Sequence, residues 1–274
     1  MAATDESNMP FIRNLASSDR KTRTSALDTL RTFLSASTTS RQLSALDNQK
    51  LWKGLFYSLW MCDRPIPQQN LCGELAGLIS ILPDEAVVPW LGGFWAIMSR
   101  EWTSIDVLRM EKFLLLVRRV VGASLAWAGG DGGNKKNGGS KKTTKGEAQN
   151  IGRAEAMMAL LAAWPLEPTG DLSKVPSGVR LHVLDIWVDE AEKLRLLEQG
   201  ADEGQKDLLD RIRQLVEAQS KSTCKPVRVR AKESLADGRL PWNAPGEAGD
   251  DDEDGAPKTK DASGDKSSWD GFAD

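Results

Sequence analysis

The segment LWKGLFYSLWMCDRP, residues 51–65, constrains the fold more than any other part of the sequence. Only Lys53, Gly54 and Ser58 interrupt its apolar run before Met61. The apolar residues have the spacing that covers one broad side of an α-helix. A helix with so narrow a polar strip cannot face water alone, so other elements must pack around it. The segment therefore predicts a central core helix that ends at its Asp-Arg-Pro sequence.

Other segments repeat this one-sided spacing. A helix is predicted from about Arg20 to Ser35, because the Ser and Asp residues before it can accept hydrogen bonds from first-turn amides. Two stripes, on residues 71–82 and 87–98, are separated by a short turn at Pro83-Asp84, so we expect these two helices to form an antiparallel hairpin. The remaining helical stripes lie within residues 104–127, 148–163, 176–200 and 207–219.

Helical pairs in series, each burying a stripe on its neighbours, predict an all-α fold. We interpret it as a HEAT-like α-solenoid of antiparallel helical hairpins, with a helical repeat region in residues 9–128 and 148–220. No strict sequence period is present, so the repeat interpretation depends on the order of the hairpins alone.

Apolar residues are sparse in three segments, namely residues 1–8, 129–147 and 221–274. The segment GGDGGNKKNGGSKKTTKGE is predicted to be a disordered, basic Gly/Lys insertion. The C-terminal segment is basic at 221–232 and acidic at 247–254, and we expect a mostly extended or disordered tail. Val227, Val229 and Ala231 alternate with basic residues, which fits a short edge strand or, as we favour, a basic tail.

The composition is that of an ordinary globular protein, with 40% hydrophobic residues, 27% charged residues and a net charge of −3. Three cysteines without a Cys-x-x-Cys pair argue against a disulfide framework or a zinc ribbon, and favour a reducing compartment. The polar first ten residues do not resemble a secretory signal. The longest apolar run is well short of the ~20 residues of a membrane helix. We therefore expect a soluble intracellular protein.

Catalytic chemistry has little support. His182 is the single histidine, and one imidazole with Asp185 and Asp189 on the same helix face is a weak signal for a metal site. Asp185, Asp189 and Glu190 form the one helical carboxylate cluster that could hold Mg²⁺ in a nuclease. The glycine-rich insertion lacks the strand and helix that a phosphate-binding loop requires. We predict a non-enzyme without catalytic residues, metal or cofactor, and keep a nuclease as an alternative.

Binding is better supported. Arg109, Lys112 and Arg119 have a spacing that places them on one helix face, where they could contact phosphate or an acidic partner. A solvated outer face with local ion pairs to Glu101, Asp106 and Glu111 is the alternative interpretation. The candidate binding residues are Lys53, Arg64, Arg100, Arg109, Lys112, Arg118 and Arg119. The aromatic residues of the tail, Trp242, Trp269 and Phe272, are candidate docking residues for a partner, although aromatic residues also occur in tails by chance.

Three blocks of the chain resemble the eukaryotic ribosomal RNA processing protein 1 family, the nucleolar Nop-fifty-two type. They are LWKGLFYSLWMCDRPIPQQNL, FWAIMSREWTSIDVLRMEKFLLLVRRV and PSGVRLHVLDIWVDE, in that order. The resemblance covers roughly residues 9–217. Glu111 and Leu114 stand where the family often has aspartate and tyrosine.

This resemblance implies a helical, non-catalytic assembly factor of the large ribosomal subunit in the nucleus and nucleolus. Such a protein is needed for processing of the large-subunit pre-rRNA in pre-60S particles. The implied partners are that RNA and neighbouring assembly factors, including one with a Brix domain, with neither a membrane nor a small-molecule substrate. A helical adaptor that binds only proteins, without RNA contact, is the alternative function.

Overall fold

A computed structural model describes residues 11–36, 43–130 and 144–243, and every regular element in these residues is helical. The α-helices of this part of the chain are α1 (Phe11–Leu15), α2 (Arg20–Ser35), α3 (Ala45–Trp60), α4 (Pro65–Gly77), α5 (Asp84–Glu101), α6 (Val107–Ala128), α7 (Thr144–Ala163), α8 (Ser177–Lys193), α9 (Glu203–Gln219) and α10 (Lys225–Leu235). Short 3₁₀ helices cover Leu78–Ile81 and Trp102–Ser104. The predicted all-α class is confirmed. No helix in the described ranges combines the length and hydrophobicity that a membrane span requires.

The helices form two layers. Odd-numbered helices contact one another in succession from α1 to α9, and even-numbered helices do so from α4 to α10. This pattern, in which each helix packs on the helix two places along the chain, is that of an α-solenoid. The HEAT-like interpretation of the helical order therefore agrees with the packing.

Neighbouring helices of one layer run parallel, because their contacts join residues at similar distances from each helix start. Trp52 Nε1 of α3 donates to Trp90 O of α5 at 2.9 Å. His182 Nε2 of α8 lies 2.9 Å from Leu114 O of α6. Consequently, the connections from each odd helix to the following even helix lie on one edge of the stack. We call this the connector edge, residues 61–64, 102–106, 164–176 and 220–224.

The predicted hairpin of residues 71–82 with 87–98 is wrong. The first of these helices ends at Gly77 and continues as a 3₁₀ turn, and α4 and α5 make little direct contact. Instead, α4 packs on α6 and α5 packs on α3. The apolar stripes correctly indicate which side of each helix is buried, but a stripe carries no information about which neighbour covers it.

The predicted central helix is α3. Its first turn has a capping box, in which Ser44 Oγ accepts from Asp47 N and the Asp47 carboxylate accepts from Ser44 N, both at 3.1 Å. The Trp52 and Trp90 rings lie 4.9 Å apart in the core between α3 and α5. A Cβ atom at Gly93 would lie 2.9 Å from the Asn48 backbone, so glycine permits this close approach of the two helices.

The predicted extended tail from residue 221 is also wrong in its first part, where α10 forms. Val227 and Ala231 are four residues apart, so they share a helix face and are completely buried, and α10 packs on α8 and α9. Pro226 lies in the first turn, where a helix tolerates proline. The alternation with arginine that suggested a strand or a tail is therefore a helical stripe with a basic outer face.

The other predicted boundaries lie closer to those of the structure. The helix predicted from Arg20 to Ser35 has those ends, and Asp19 caps it by accepting from Thr22 N at 2.8 Å. Helix α7 begins at Thr144, before the predicted end of the Gly/Lys insertion. The compact unit includes the described residues after α10, up to Asn243. Residues 1–8, most of the insertion and the acidic tail, including Trp269 and Phe272, lie outside the described residues.

Candidate interaction surface

The end of α3 is held by side chains from three other parts of the fold. Lys112 Nζ of α6 donates to Trp60 O at 2.7 Å and to Cys62 O at 2.9 Å. Arg23 of α2 donates to Met61 O at 3.2 Å, and Gln68 of α4 donates to Cys62 O at 2.7 Å. Two cations therefore satisfy the carbonyls at the negative end of a helix dipole. We call the surrounding surface, residues 60–66 and 100–109, the α3–α6 corner.

Lys112 is not the exposed binding residue that the sequence predicted. Its relative exposure is 4%, because its long aliphatic stem crosses the core to reach the end of α3. Burial holds the pKa of Lys112 below its ordinary value, and the Asp63 carboxylate offsets part of this effect. The predicted common face of Arg109, Lys112 and Arg119 does not form, since its central member points inward.

Arg109 is partly engaged within the same corner. Its guanidinium lies over the Trp60 ring, 4.8 Å from the ring centroid, and pairs with Asp106. Asp106 also accepts from Arg109 N at 3.1 Å as the cap of α6. Both contacts fix the orientation of the first turn of α6 against the end of α3.

The other predicted cations are divided among different surfaces. Arg64 and Arg100 are exposed at the α3–α6 corner, and Arg100 Nε pairs with Glu101 at 2.9 Å. Lys53 is exposed on α3 and Arg119 on α6, in opposite layers of the stack. Within the described ranges, Lys53, Arg64 and Arg119 have no ion pair. They are therefore available to an external anion without loss of an internal contact.

Arg118 belongs to an ion-pair cluster that joins α6 to α8. It donates to Asp189 and to Glu190 at 2.7 Å each, and Arg239 also donates to Asp189 at 3.0 Å. These arginines hold the pKa of Asp189 below its ordinary value despite an opposing effect of burial. Arg118 is consequently a structural residue rather than a free cation.

The same ion-pair cluster includes carboxylates that the nuclease alternative would need for Mg²⁺. Asp189 and Glu190 pair with Arg118, and Asp185 pairs with Arg230. His182 is bound to a backbone carbonyl, and burial lowers its pKa. Among the described residues, no group of three potential ligands is placed to hold a metal ion. The absence of catalysis stays a prediction, but each candidate carboxylate already has a cationic partner.

Trp242, a predicted docking residue, is packed against the fold. Its Nε1 donates to Leu235 O at 3.2 Å, and the Arg213 guanidinium lies 4.5 Å from its ring centroid. Trp242 therefore anchors the chain after α10. This role was not predicted, because the whole segment was expected to be a disordered tail.

Exposed apolar residues at the α3–α6 corner were not predicted from the sequence. Val107 and Leu108 are 87% and 93% exposed in the first turn of α6. The signal was available, because both residues fall off the stripe of Phe113, Leu116 and Val120 that faces the core. Beside this corner, a groove of about 500 Å³ between α2, α3 and α4 is bordered by Arg20 and Arg64.

Comparisons with known proteins agree with one another. The family model described as nucleolar protein, Nop52, matches residues 6–270. The chain is 33% identical over 194 residues to ribosomal RNA processing protein 1 homolog A of Mus musculus, an alignment that covers 70% of this chain and 35% of that protein. For the Homo sapiens homolog A, identity is 32% over 197 residues, with 71% and 39% covered. The chain spans about a third of the length of these curated relatives.

Proposed function

The chain belongs to the Nop52 family of nucleolar proteins, and from this premise we propose that it acts in ribosomal RNA processing as a non-catalytic scaffold. It would reside in the nucleus and nucleolus, within pre-60S particles that mature into the large ribosomal subunit. Its partners would be large-subunit pre-rRNA and neighbouring assembly factors, including a Brix-domain protein. Its relatives are named ribosomal RNA processing protein 1 homologs, which supports the processing role.

One structural observation favours a scaffold over an enzyme. The α3–α6 corner leaves the apolar residues Val107 and Leu108 and the cation Arg64 exposed. Side chains that could serve catalysis, such as Asp185 and Asp189, pair instead with arginines. A repeat stack of this kind binds through extended surfaces, and exposed cations add a salt-dependent attraction for RNA.

The RNA-binding part of the proposal is tested by reversing charge at Lys53, Arg64 and Arg119 together. These residues are exposed and lack internal ion pairs in the described part, so circular dichroism and the melting temperature should not change. We expect weaker co-sedimentation with pre-60S particles and fewer RNA crosslinks. The same reversal at Arg13, Lys21 and Lys225, which are likewise exposed and without an ion pair in the described part, is the matched control. Equal loss in both triple variants would contradict a specific surface.

A protein-only adaptor is the second candidate, and the exposed apolar pair Val107 and Leu108 favours it. Ultraviolet crosslinking in cells separates the two functions, because a scaffold of folding RNA should carry crosslinked nucleotides. Mg²⁺-dependent RNA cleavage by the purified chain, abolished by Asp185→Ala, would contradict both candidates.

A further inference from the structure

Each of the two chain segments that form the α3–α6 corner exposes two large hydrophobic residues. The exposures are 87% for Val107, 93% for Leu108, 71% for Ile66 and 40% for Met61. Val107 and Leu108 begin α6, Ile66 lies in the first turn of α4, and these two parallel helices start side by side. Apolar patches of about 300–600 Å² are the largest on typical monomers and often mark binding sites.

The backbone beneath these residues is already fixed. Lys112 and Arg23 hold the carbonyls that end α3, and the Arg109–Asp106 pair holds the start of α6. Little backbone ordering would therefore oppose binding, and preorganised surfaces of this kind gain affinity because that cost is already met by folding.

The size of the patch indicates what it can bind. A stable dimer of a second copy needs about 800 Å² from each partner and roughly 20–30 residues a side. Four exposed hydrophobic residues at the end of two helices fall short of that requirement. They match a short segment that inserts two or three apolar anchors, as recognition peptides do.

The charges around the patch favour an acidic segment. Glu101 and Asp106 are occupied by their neighbouring arginines and the Asp63 carboxylate lies near the Lys112 cation, whereas Arg64 has no ion pair among the described residues. Glu111 lies one turn further along α6, so the available positive charge lies on the α4 side. The carboxylates of a bound segment should therefore lie beside Arg64, and its apolar residues over Val107 and Leu108.

Protein is a better fit than RNA at this position. Single-stranded RNA is held largely by stacking of its bases on aromatic side chains. The corner has one large ring on its surface, Trp60, and the Arg109 guanidinium already covers it. Exposed aliphatic side chains offer no comparable stacking surface.

We propose that the α3–α6 corner binds a short acidic segment of another protein, which places apolar side chains on Val107, Leu108 and Ile66 and carboxylates beside Arg64. This inference rests on the proposed function in one respect, which is that we expect the partner to be a component of the precursor particle.

The first test replaces Leu108 in the full chain with the photo-crosslinking residue benzoylphenylalanine and identifies crosslinked peptides from cells by mass spectrometry. The expected product is one partner peptide that contains at least two apolar residues next to Asp or Glu. A crosslinked nucleotide, a peptide from a second copy of the chain, or no product above background would overturn the proposal.

The second test measures binding of that peptide, made synthetically, to the purified chain. Val107→Glu with Leu108→Glu should weaken the affinity at least tenfold, as should Arg64→Glu. Exchange of the peptide carboxylates for lysine should restore binding to Arg64→Glu. Ile151→Glu, at an aliphatic residue 48% exposed on α7, is the control and should bind as the unchanged chain does.

Unchanged affinity in the double variant, or no restoration by charge exchange, would overturn the proposal. Circular dichroism of each variant establishes that it is folded. Co-sedimentation of the unchanged chain with pre-60S particles is scored separately. Its absence would contradict the proposed function, whereas the peptide measurement alone decides the role of the corner.

Discussion

Two parts of the connector edge use the same structural device and differ in what they leave exposed. At the α3–α6 corner, buried Lys112 holds the carbonyls of Trp60 and Cys62. In the connector 164–176, completely buried Arg180 donates to Asp171 O at 3.0 Å and Val175 O at 3.2 Å. Each long side chain thus donates the hydrogen bonds that water would otherwise supply to backbone carbonyls without a partner inside a helix.

The two buried cations differ in whether a carboxylate pairs with them directly. Arg180 also pairs with the buried Glu167 carboxylate at 2.9 Å, and Gln219 donates to Leu166 O at 2.6 Å, so the connector is satisfied from within. Lys112 faces carbonyls at a corner where Val107 and Leu108 are left exposed. The connector 164–176 is consequently a structural element, whereas the corner combines a rigid backbone with an uncovered apolar surface. This combination is what a binding surface requires.

The largest expected effect comes from the buried pair. Arg180→Met leaves the Glu167 carboxylate buried without its cation, so we expect a loss of about 3–5 kcal/mol in the free energy of unfolding. Urea denaturation measures this loss. The control Arg195→Met removes an arginine that is 75% exposed, and should cost less than about 1 kcal/mol. A loss for Arg180→Met as small as that of the control would show that Arg180 does not hold the connector.

Lys112→Met should cost less, about 1.5–3 kcal/mol, which is the range for hydrogen bonds to a charged group. Methionine preserves the packing of the lysine stem, and the freed carbonyls of Trp60 and Cys62 lie near the surface, where water can reach them. The same denaturation experiment on Lys53→Met, at an exposed position, should give a change below about 0.5 kcal/mol. A loss in the free energy of unfolding for Lys112→Met that is no larger than the loss for Lys53→Met would contradict the anchoring role of Lys112.

Acid should distinguish the two regions further. Burial opposes ionisation of Glu167, but hydrogen bonds from Thr169 and the Arg180 guanidinium outweigh it and hold the pKa of Glu167 at about 2, against an ordinary 4.5. Because the folded-state pKa is lowered, this stabilisation is complete above pH 4.5 and is lost as the pH falls toward 2.

The measurement is the difference in unfolding free energy between the unchanged chain and Glu167→Gln as a function of pH. We expect this difference to be constant from pH 7 to about 5 and to shrink below that. A difference that is independent of pH down to 2.5 would show that the Glu167 charge does not stabilise the connector.

The smallest effect on stability is expected for Val107→Glu with Leu108→Glu. Both side chains are almost fully exposed, so the free energy of unfolding should change by no more than about 0.5 kcal/mol. Carboxylates in the first turn of α6 also interact favourably with the helix dipole. Thermal unfolding followed by circular dichroism tests this expectation, and a large loss would mean that the pair contributes to the fold instead of to an interface.

The sequence predicted some of these features and not others, for physical reasons. Helical stripes such as the one on α3 follow from local periodicity and were predicted well. The role of Lys112 was not, because its acceptors are backbone carbonyls some fifty residues away that leave no sequence signature. Trp242 and α10 were missed because the high density of charge and proline concealed the buried pair Val227 and Ala231.

Hydrogen–deuterium exchange of the chain, free and within purified pre-60S particles, tests the central claim most directly. We expect slower exchange on association at amides of residues 60–66 and 105–109, with little change in the connector 164–176, whose backbone groups already have internal partners. Unchanged exchange at the α3–α6 corner, with protection confined to the connector, would contradict the assignment of the corner as the binding surface.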